Sequence, residues 1–172
     1  MQVSSAMMPR DMVQGGQVVI FAAGSALYAL PVHQVQEILD LQPIVPLPNA
    51  PAHLLGLTDL RGTGIAVVDL RKLLQLDPVN DSAQTRILVC VTGQPDNQRL
   101  VGLRTERVIE VSAFDEERVQ TLHEADLMHC TDIAVAGVGR RNGGFVALLD
   151  LERLFDPARM TAALASSLPD AG

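Results

Sequence analysis

The sequence predicts an all-β protein with a few short helices, and three observations support this fold class. Apolar residues occur in short runs of about four to eight, rich in Val, Ile and Leu and bounded by Gly, Pro, Asn or Asp. Several of these runs are separated by sequences typical of hairpin turns. Helical patterns are few and short, and closure of the strands into small barrels would remove exposed sheet edges.

Length and composition limit the possible functions. The chain has 172 residues, 48% of them hydrophobic and 19% charged, which indicates a folded chain with a core of its own. Aromatic residues make up only 3%, so the core is aliphatic. A net charge of −7 argues against nucleic acid or anionic lipid as a partner. Two cysteines, Cys90 and Cys130, are too few for a disulfide framework and favour a reducing, cytoplasmic setting.

The N-terminal part contains a tail and the first predicted hairpin. Residues 1–16 show no periodicity and are predicted to form a flexible tail. The uncharged run at 18–32 is too short for a membrane span, which needs about 20 apolar residues. It also lacks the basic leader of a secretory signal. Gly24-Ser25 at its middle predicts a β-hairpin.

Further turns and short helices follow along the chain. Turn sequences at 62–64, 93–97 and 140–144 are each followed by an apolar run. Asn142-Gly143 is the sharpest signal, because both residues tolerate the positive φ of a type I′ turn. One helix is predicted at 69–76, with Asp69 as its cap and with Leu70, Leu73 and Leu74 buried, a second at 150–155 and a third around 158–168, within the C-terminal tail 156–172.

A weak internal repeat divides the chain into two similar β units. Residues 56–74 align with 137–155 at a constant offset, which superposes glycines and the capping Asp69 and Asp150. Restricted composition alone could also produce this recurrence, but duplication is favoured. The polar segment 77–85 is predicted as the approximate division within a domain that spans 17–155.

Few residues are candidates for catalysis or metal binding. His123, His129 and Cys130 are close in sequence, but their spacing does not match H-E-x-x-H or a four-ligand zinc site, and they are interpreted as part of a polar loop. A small metal-dependent β-barrel enzyme using these residues is therefore a disfavoured alternative. His33 and His53 are predicted to be exposed turn residues. Neither a metal nor a cofactor is expected.

Arg61 is the most informative single residue. It lies between an apolar strand and a glycine turn, with Asp59 two residues earlier. A surface arginine paired with a carboxylate would contribute little to stability. A guanidinium held at a rigid turn would instead suit recognition of a partner. The residues alone leave both interpretations open. In the repeat alignment Asn142 occupies the position of Arg61, so the second unit is predicted to lack an equivalent arginine.

The order of several motifs resembles the CheW family of chemotaxis coupling proteins. The resemblance covers residues 17–155 and is specific as a set, although each motif alone would be weak. It is carried by YALPV at 28–32, VQEI at 35–38, PLPNAP at 46–51, LRG at 60–62, VDL at 68–70 and LLDL at 148–151. Asp59, Ala66 and Arg104-Thr105 depart from the usual family pattern of Asn, Pro and Val-Asp, which leaves the partner preference open.

The resemblance implies both a fold and a function. The implied fold is two small five-stranded SH3-like β-barrels related by pseudo-symmetry. The implied function is that of a non-catalytic adaptor, which couples membrane chemoreceptors to the histidine kinase CheA in cytoplasmic arrays at the inner membrane. A CheW-like competitor, or an adaptor of a separate chemosensory pathway, is the alternative within this fold.

The resemblance also assigns roles to particular residues. The receptor-binding surface would include Arg61, Glu37, Val35 and Gly56. Ile44 would face the regulatory domain of the kinase.

Overall fold

The computed structural model describes residues 16–115 and 134–155, which form mostly strands with few short helices, as predicted. The strands are β1 (Val18–Ala23), β2 (Ala26–Pro31), β3 (Val35–Asp40), β4 (Leu54–Leu60), β5 (Thr63–Asp69), β6 (Arg86–Thr92), β7 (Arg99–Thr105), β8 (Arg107–Ser112), β9 (Val135–Arg141) and β10 (Gly144–Leu149). The helices are α1 (Leu70–Leu73) and α2 (Leu151–Leu154), and a 3-10 turn lies at Val32–Gln34.

The strands form two five-stranded sheets in which equivalent strands occupy equivalent positions. The first sheet has the order β8-β1-β2-β10-β9, and the second has the order β3-β6-β7-β5-β4. In each sheet one pair of neighbours is parallel, β2 with β10 and β5 with β7, and the other pairs are antiparallel. Two related units are therefore present, as the internal repeat predicts.

The boundary between the sheets does not lie at 77–85. That segment joins α1 to β6. The helix α1 directly follows β5, and both β5 and β6 belong to the second sheet. The chain instead passes between the sheets at the 3-10 turn and at Glu106. The hairpin β1–β2 pairs with β8 and β10, far away in sequence, and the polar composition of 77–85 carries no information about such long-range pairing.

The β4–β5 and β9–β10 hairpins show how closely the two units correspond. Both have two consecutive residues with positive φ at the tip, 49° and 88° at Arg61-Gly62 and 53° and 81° at Asn142-Gly143. This backbone is that of the type I′ turn predicted for Asn142-Gly143. Asp69 and Asp150 cap the two one-turn helices, since their carboxylates accept backbone N–H groups of the first helical turn.

The helices are shorter than the predicted ranges. At 69–76 only Leu70–Leu73 is helical, with Leu70 and Leu73 buried and Leu74 partly buried. The third predicted helix lies outside the described residues, as do His123, His129 and Cys130.

The main hydrophobic core contains residues of both sheets, including Phe21 and Leu30 of the first and Leu88 and Leu103 of the second. Smaller clusters lie on the opposite face of each sheet. Cys90 is fully buried in the main core, where desolvation raises the pKa of its thiol to about 12, so it packs as a small hydrophobe.

The prediction for one of the two histidines is wrong. His33 is exposed as expected, but His53 is only 6% exposed. The carbonyl oxygen of His53 accepts the backbone N–H of Asp69 at 2.9 Å, which draws the turn against the helix cap. Desolvation lowers the pKa of the His53 imidazole. The Pro-rich sequence around this residue indicated a turn but not the surface against which the turn packs.

Arg104 anchors the polar segment 77–85 to the second sheet. Its side chain is 7% exposed and contacts the carboxylates of Asp69, at 3.2 Å, and Asp81, at 2.7 Å from Nε. It also donates to the carbonyl oxygen of Val79 at 3.1 Å. Three oxygen acceptors thus satisfy the buried guanidinium, as a buried charge requires.

Candidate functional site

Arg61 and Glu37 form an ion pair that bridges the two edges of the second sheet. Glu37 lies on the edge strand β3, and Arg61 lies at the tip beyond the opposite edge strand β4. The guanidinium meets the carboxylate with both of its terminal nitrogens, Nη1 lying 3.2 Å from Oε1 and Nη2 bonding to Oε2. Val45, just after β3, also pairs with Leu57 of β4, so the sheet closes on itself. The pair therefore lies where this barrel closes.

The pair is charged and turned towards solvent. The Arg61 side chain is 67% exposed, whereas that of Glu37 is 26% exposed. The hydrogen bond from Arg61 lowers the pKa of Glu37, and the same bond raises the pKa of Arg61. The carboxylate thus holds one side of the guanidinium and leaves most of its surface available to a partner.

The other predicted receptor-surface residues lie on the two edge strands that this pair joins. Val35 is on β3, two residues before Glu37, and packs partly against the main core. Gly56 is on β4 at a register shift, with φ of 143°. A Cβ at Gly56 would lie 2.0 Å from the carbonyl oxygen of Val45, so only glycine lets the segment after β3 cross at this distance.

Ile44 lies on this crossing segment, but its neighbour Val45 is more exposed to solvent. Ile44 is half-buried, whereas its neighbour Val45 is 64% exposed. Two side chains that the sequence did not single out hold the segment in place. Gln42 donates to Thr58 Oγ1 at 2.9 Å, and Thr58 donates to the carbonyl oxygen of Pro43 at 2.8 Å. Neither residue belongs to a pattern that could have identified it.

The first sheet also carries an ion pair between its edge strands, although Asn142, and not an arginine, occupies the turn position equivalent to Arg61, as predicted. Arg141 on β9 reaches Glu110 on β8, with 3.1 Å between Nη2 and Oε1. Arg141 also lies 3.9 Å from Asp115. The residue aligned with Arg61 is Asn142, but the arginine one position earlier spans the same gap between edge strands.

The two pairs differ in accessibility and in their surroundings. The Arg141 side chain is 29% exposed, less than half the value for Arg61. Asp115 accepts the backbone N–H groups of Asn142 and Gly143, each at 2.9 Å, and these bonds lower the pKa of its carboxyl group. The pair in the first sheet is therefore part of a braced turn, whereas Arg61 is presented outward.

Within residues 16–115 and 134–155, no three or more His, Cys, Asp or Glu side chains are placed to hold a metal ion. Over the same residues, no helix has the length and apolar character needed to cross a membrane.

The fold defines a class of protein, the paired small β-barrel, here with an exposed ion pair where one barrel closes. A family model described as the CheW-like domain matches residues 17–159. The chain therefore belongs to the CheW-like family.

Individual relatives agree with this membership. The chain is 27% identical to the chemotaxis protein CheW of Klebsiella aerogenes over 146 residues, which cover 85% of each chain. It is 26% identical to a probable chemotaxis protein CheW of Rhizobium etli over 149 residues, 86% of this chain and 92% of the relative. The crystal structure of the scaffolding protein TtCheW from Thermoanaerobacter tengcongensis superposes with a TM-score of 0.69 at 26% identity. That match covers 82% of this chain and 92% of the other.

The relatives support a chemotaxis protein of an adaptor type. Their names describe chemotaxis and scaffolding proteins rather than enzymes.

Proposed function

We propose that the protein is a non-catalytic adaptor that couples the cytoplasmic tips of membrane chemoreceptors to the histidine kinase CheA. Its place would be in the cytoplasm, within receptor arrays at the inner membrane. Membership of the CheW-like family supports a chemosensory role, and the outward-facing Arg61–Glu37 pair is the observation that carries the site.

The geometry at Arg61 suits recognition of a receptor tip. Its positive φ places it within a type I′ turn, which fixes the start of the side chain relative to the sheet. Glu37 fixes the other end while most of the guanidinium stays exposed. A helical tip that offers a hydrogen-bond acceptor would pair with the guanidinium, and Val35 and the exposed Ile38 on the same strand as Glu37 offer aliphatic contacts.

The segment at 43–46 is the proposed kinase-facing surface. It carries Ile44 and the more exposed Val45, and Gly56 and Thr58 fix it against β4. An exposed aliphatic side chain on a rigid segment is a suitable contact for an apolar surface of the kinase regulatory domain.

The receptor role is tested by comparing Arg61→Glu with Arg141→Glu. Each variant breaks one edge-bridging ion pair of the same kind, so any loss that is merely structural affects both. We expect Arg61→Glu to weaken binding of a receptor tip fragment by about 30-fold or more, as for a central interface residue. Arg141→Glu should bind normally, with a similarly small change in thermal midpoint. Calorimetric titration and thermal unfolding of both variants provide the measurements.

A charge-exchanged variant separates binding from closure of the barrel. In Glu37→Arg/Arg61→Glu the ion pair is retained with its partners exchanged. If the guanidinium at position 61 contacts the receptor, binding stays lost although the pair is restored. Recovery of normal affinity in this double variant would show that the pair is structural and that Arg61 does not bind the receptor.

A further inference from the structure

Phe145 and Arg140 form an exposed pair on the β9–β10 hairpin. Phe145 is 62% exposed, and the Arg140 guanidinium carbon lies 4.2 Å from the centre of its ring. The whole chain contains four Phe, one Tyr and no Trp. An aromatic residue is therefore scarce here, yet one of the five is displayed on the surface.

The fold does not require this pair. Phe145 faces Arg140 across the hairpin, and the corresponding partners in the β4–β5 hairpin are Gly64 and Asp59. That hairpin has the same turn and the same capped helix without an aromatic ring or a cation at these positions. Arg140 and Phe145 are thus an addition to one unit that closure, turn formation and helix capping do not explain.

Hydrogen bonds hold the hairpin that carries the pair, and the Arg140 guanidinium contacts a carbonyl oxygen and an aromatic ring rather than a carboxylate. Asp115 holds the turn through two backbone N–H groups, and the Arg140 side chain donates to the carbonyl oxygen of Gly143 at 3.1 Å. Glu110 is engaged by Arg141, and the strongest partners of Asp115 are backbone groups. Arg140 acts on Asp115 only through a weaker electrostatic interaction, and neither carboxylate forms a close ion pair with its guanidinium.

We propose that Phe145 and Arg140 are a preorganised anchor for docking a partner protein whose surface offers an apolar recess edged by a carboxylate. The ring would fill the recess, and the guanidinium would pair with the carboxylate. Aromatic and arginine side chains dominate the binding energy of protein interfaces, and a rigid anchor loses little entropy on binding. The positive charge of Arg140 favours an acidic rim over a basic one. This surface lies on the first sheet, and the proposal does not depend on the receptor and kinase roles given to the second sheet.

The test places a photo-reactive residue at the anchor in the full-length protein within its own cells. Phe145→p-benzoylphenylalanine is compared with Gly64→p-benzoylphenylalanine at the equivalent position of the other hairpin. A Cβ at Gly64 would meet only the Leu57 side chain, at 3.9 Å, so the control substitution is tolerated. Cross-linked peptides are identified by mass spectrometry, with and without Arg140→Glu.

We expect a product specific to position 145 that maps to apolar residues beside an Asp or Glu of another protein. Its yield should fall several-fold with Arg140→Glu and recover when that partner carboxylate is changed to Lys. Arg140→Lys, which keeps the charge, should retain most of the yield. The proposal is overturned by the absence of a product specific to position 145 or by a product insensitive to Arg140→Glu. It is also overturned by a product that maps only to a second copy of this chain.

Discussion

At the scale of single residues, the Arg61–Glu37 pair makes a prediction about pH. The hydrogen bond from Arg61 lowers the pKa of Glu37. The ion pair is therefore fully formed above the ordinary carboxyl pKa, and it is lost only as pH falls through the lowered value. We expect the pKa of Glu37 to rise towards its ordinary range in Arg61→Gln. Carboxyl carbon NMR titration of both proteins measures this change.

Asp115 is the internal control for that titration. Its pKa is lowered mainly by the backbone N–H groups of Gly143 and Asn142, so Arg61→Gln should leave it unchanged. A Glu37 pKa that does not respond to loss of Arg61 would show that the two side chains are not paired in solution.

A second residue-scale prediction concerns Arg104, whose ion pairs are buried. Arg104→Met preserves much of the side-chain volume but leaves the carboxylate of Asp69, only 5% exposed, without its cation. Removing one partner of a buried pair costs about 3–5 kcal/mol, and we expect a loss near the lower end because Asp81 is half exposed. Urea unfolding measures the change in the free energy of unfolding.

Two further variants make the Arg104 result interpretable. Arg99→Met changes an exposed arginine on the same strand and should alter stability by less than about 0.5 kcal/mol. Adding Asp69→Asn to Arg104→Met removes the stranded charge and keeps a helix-capping side chain, so part of the lost stability should return. A loss no larger than that of Arg99→Met would rule out a stabilising role for the buried pair.

At the scale of elements, Gly56 fixes how the segment after β3 crosses β4. Gly56→Ala places a methyl group against the backbone of Val45 and Pro46 and forces alanine to a positive φ. We expect a loss of roughly 1–3 kcal/mol and shifts of the backbone amides at 44–45. Gly64→Ala, with ordinary φ and open space around its Cβ, should cost less than about 0.5 kcal/mol. Equal losses in the two variants would contradict the role given to Gly56. Thermal unfolding and amide NMR spectra distinguish these outcomes.

The same scale shows what the sequence could predict. The hairpin at Asn142-Gly143 and the helix caps at Asp69 and Asp150 follow from the chemistry of adjacent residues, so local patterns were sufficient for them. The sheet to which β1 and β2 belong was not predictable in this way, because their partners β8 and β10 lie far along the chain.

The candidate site has the same division between local and long-range information. Arg61 stood out because of its glycine turn, and family resemblance added Glu37. The Arg141–Glu110 ion pair was not predicted. The repeat alignment matches Asn142 with Arg61, and it gives no indication that the neighbouring Arg141 side chain reaches Glu110. Burial of His53 likewise depends on the helix cap that packs over it, and the turn sequence does not show that contact.

At the scale of the whole molecule, each barrel takes strands from both halves of the chain. The first sheet combines β1 and β2 with β8, β9 and β10, and the second combines β3, β4 and β5 with β6 and β7. Contacts between the sheets reinforce this exchange, since Arg71 pairs with Glu106 at 3.0 Å and Glu106 accepts the backbone N–H of Gly24. The two similar units are therefore joined by the path of the chain as well as by the shared core.

This exchange predicts the behaviour of a chain cut between Ala83 and Gln84, which are both exposed. If each half formed its own barrel, residues 1–83 and 84–172 would fold separately. In the observed topology each fragment lacks strands of both sheets and leaves its share of the main core open, so we expect both to be largely unfolded alone. Mixing them should restore the fold, because the cut lies in a polar connection and every strand is present. Circular dichroism and amide NMR spectra of each fragment and of the mixture provide the measurement. A dispersed, native-like spectrum from either fragment alone would contradict the strand exchange, whereas dispersion that appears only on mixing would demonstrate it.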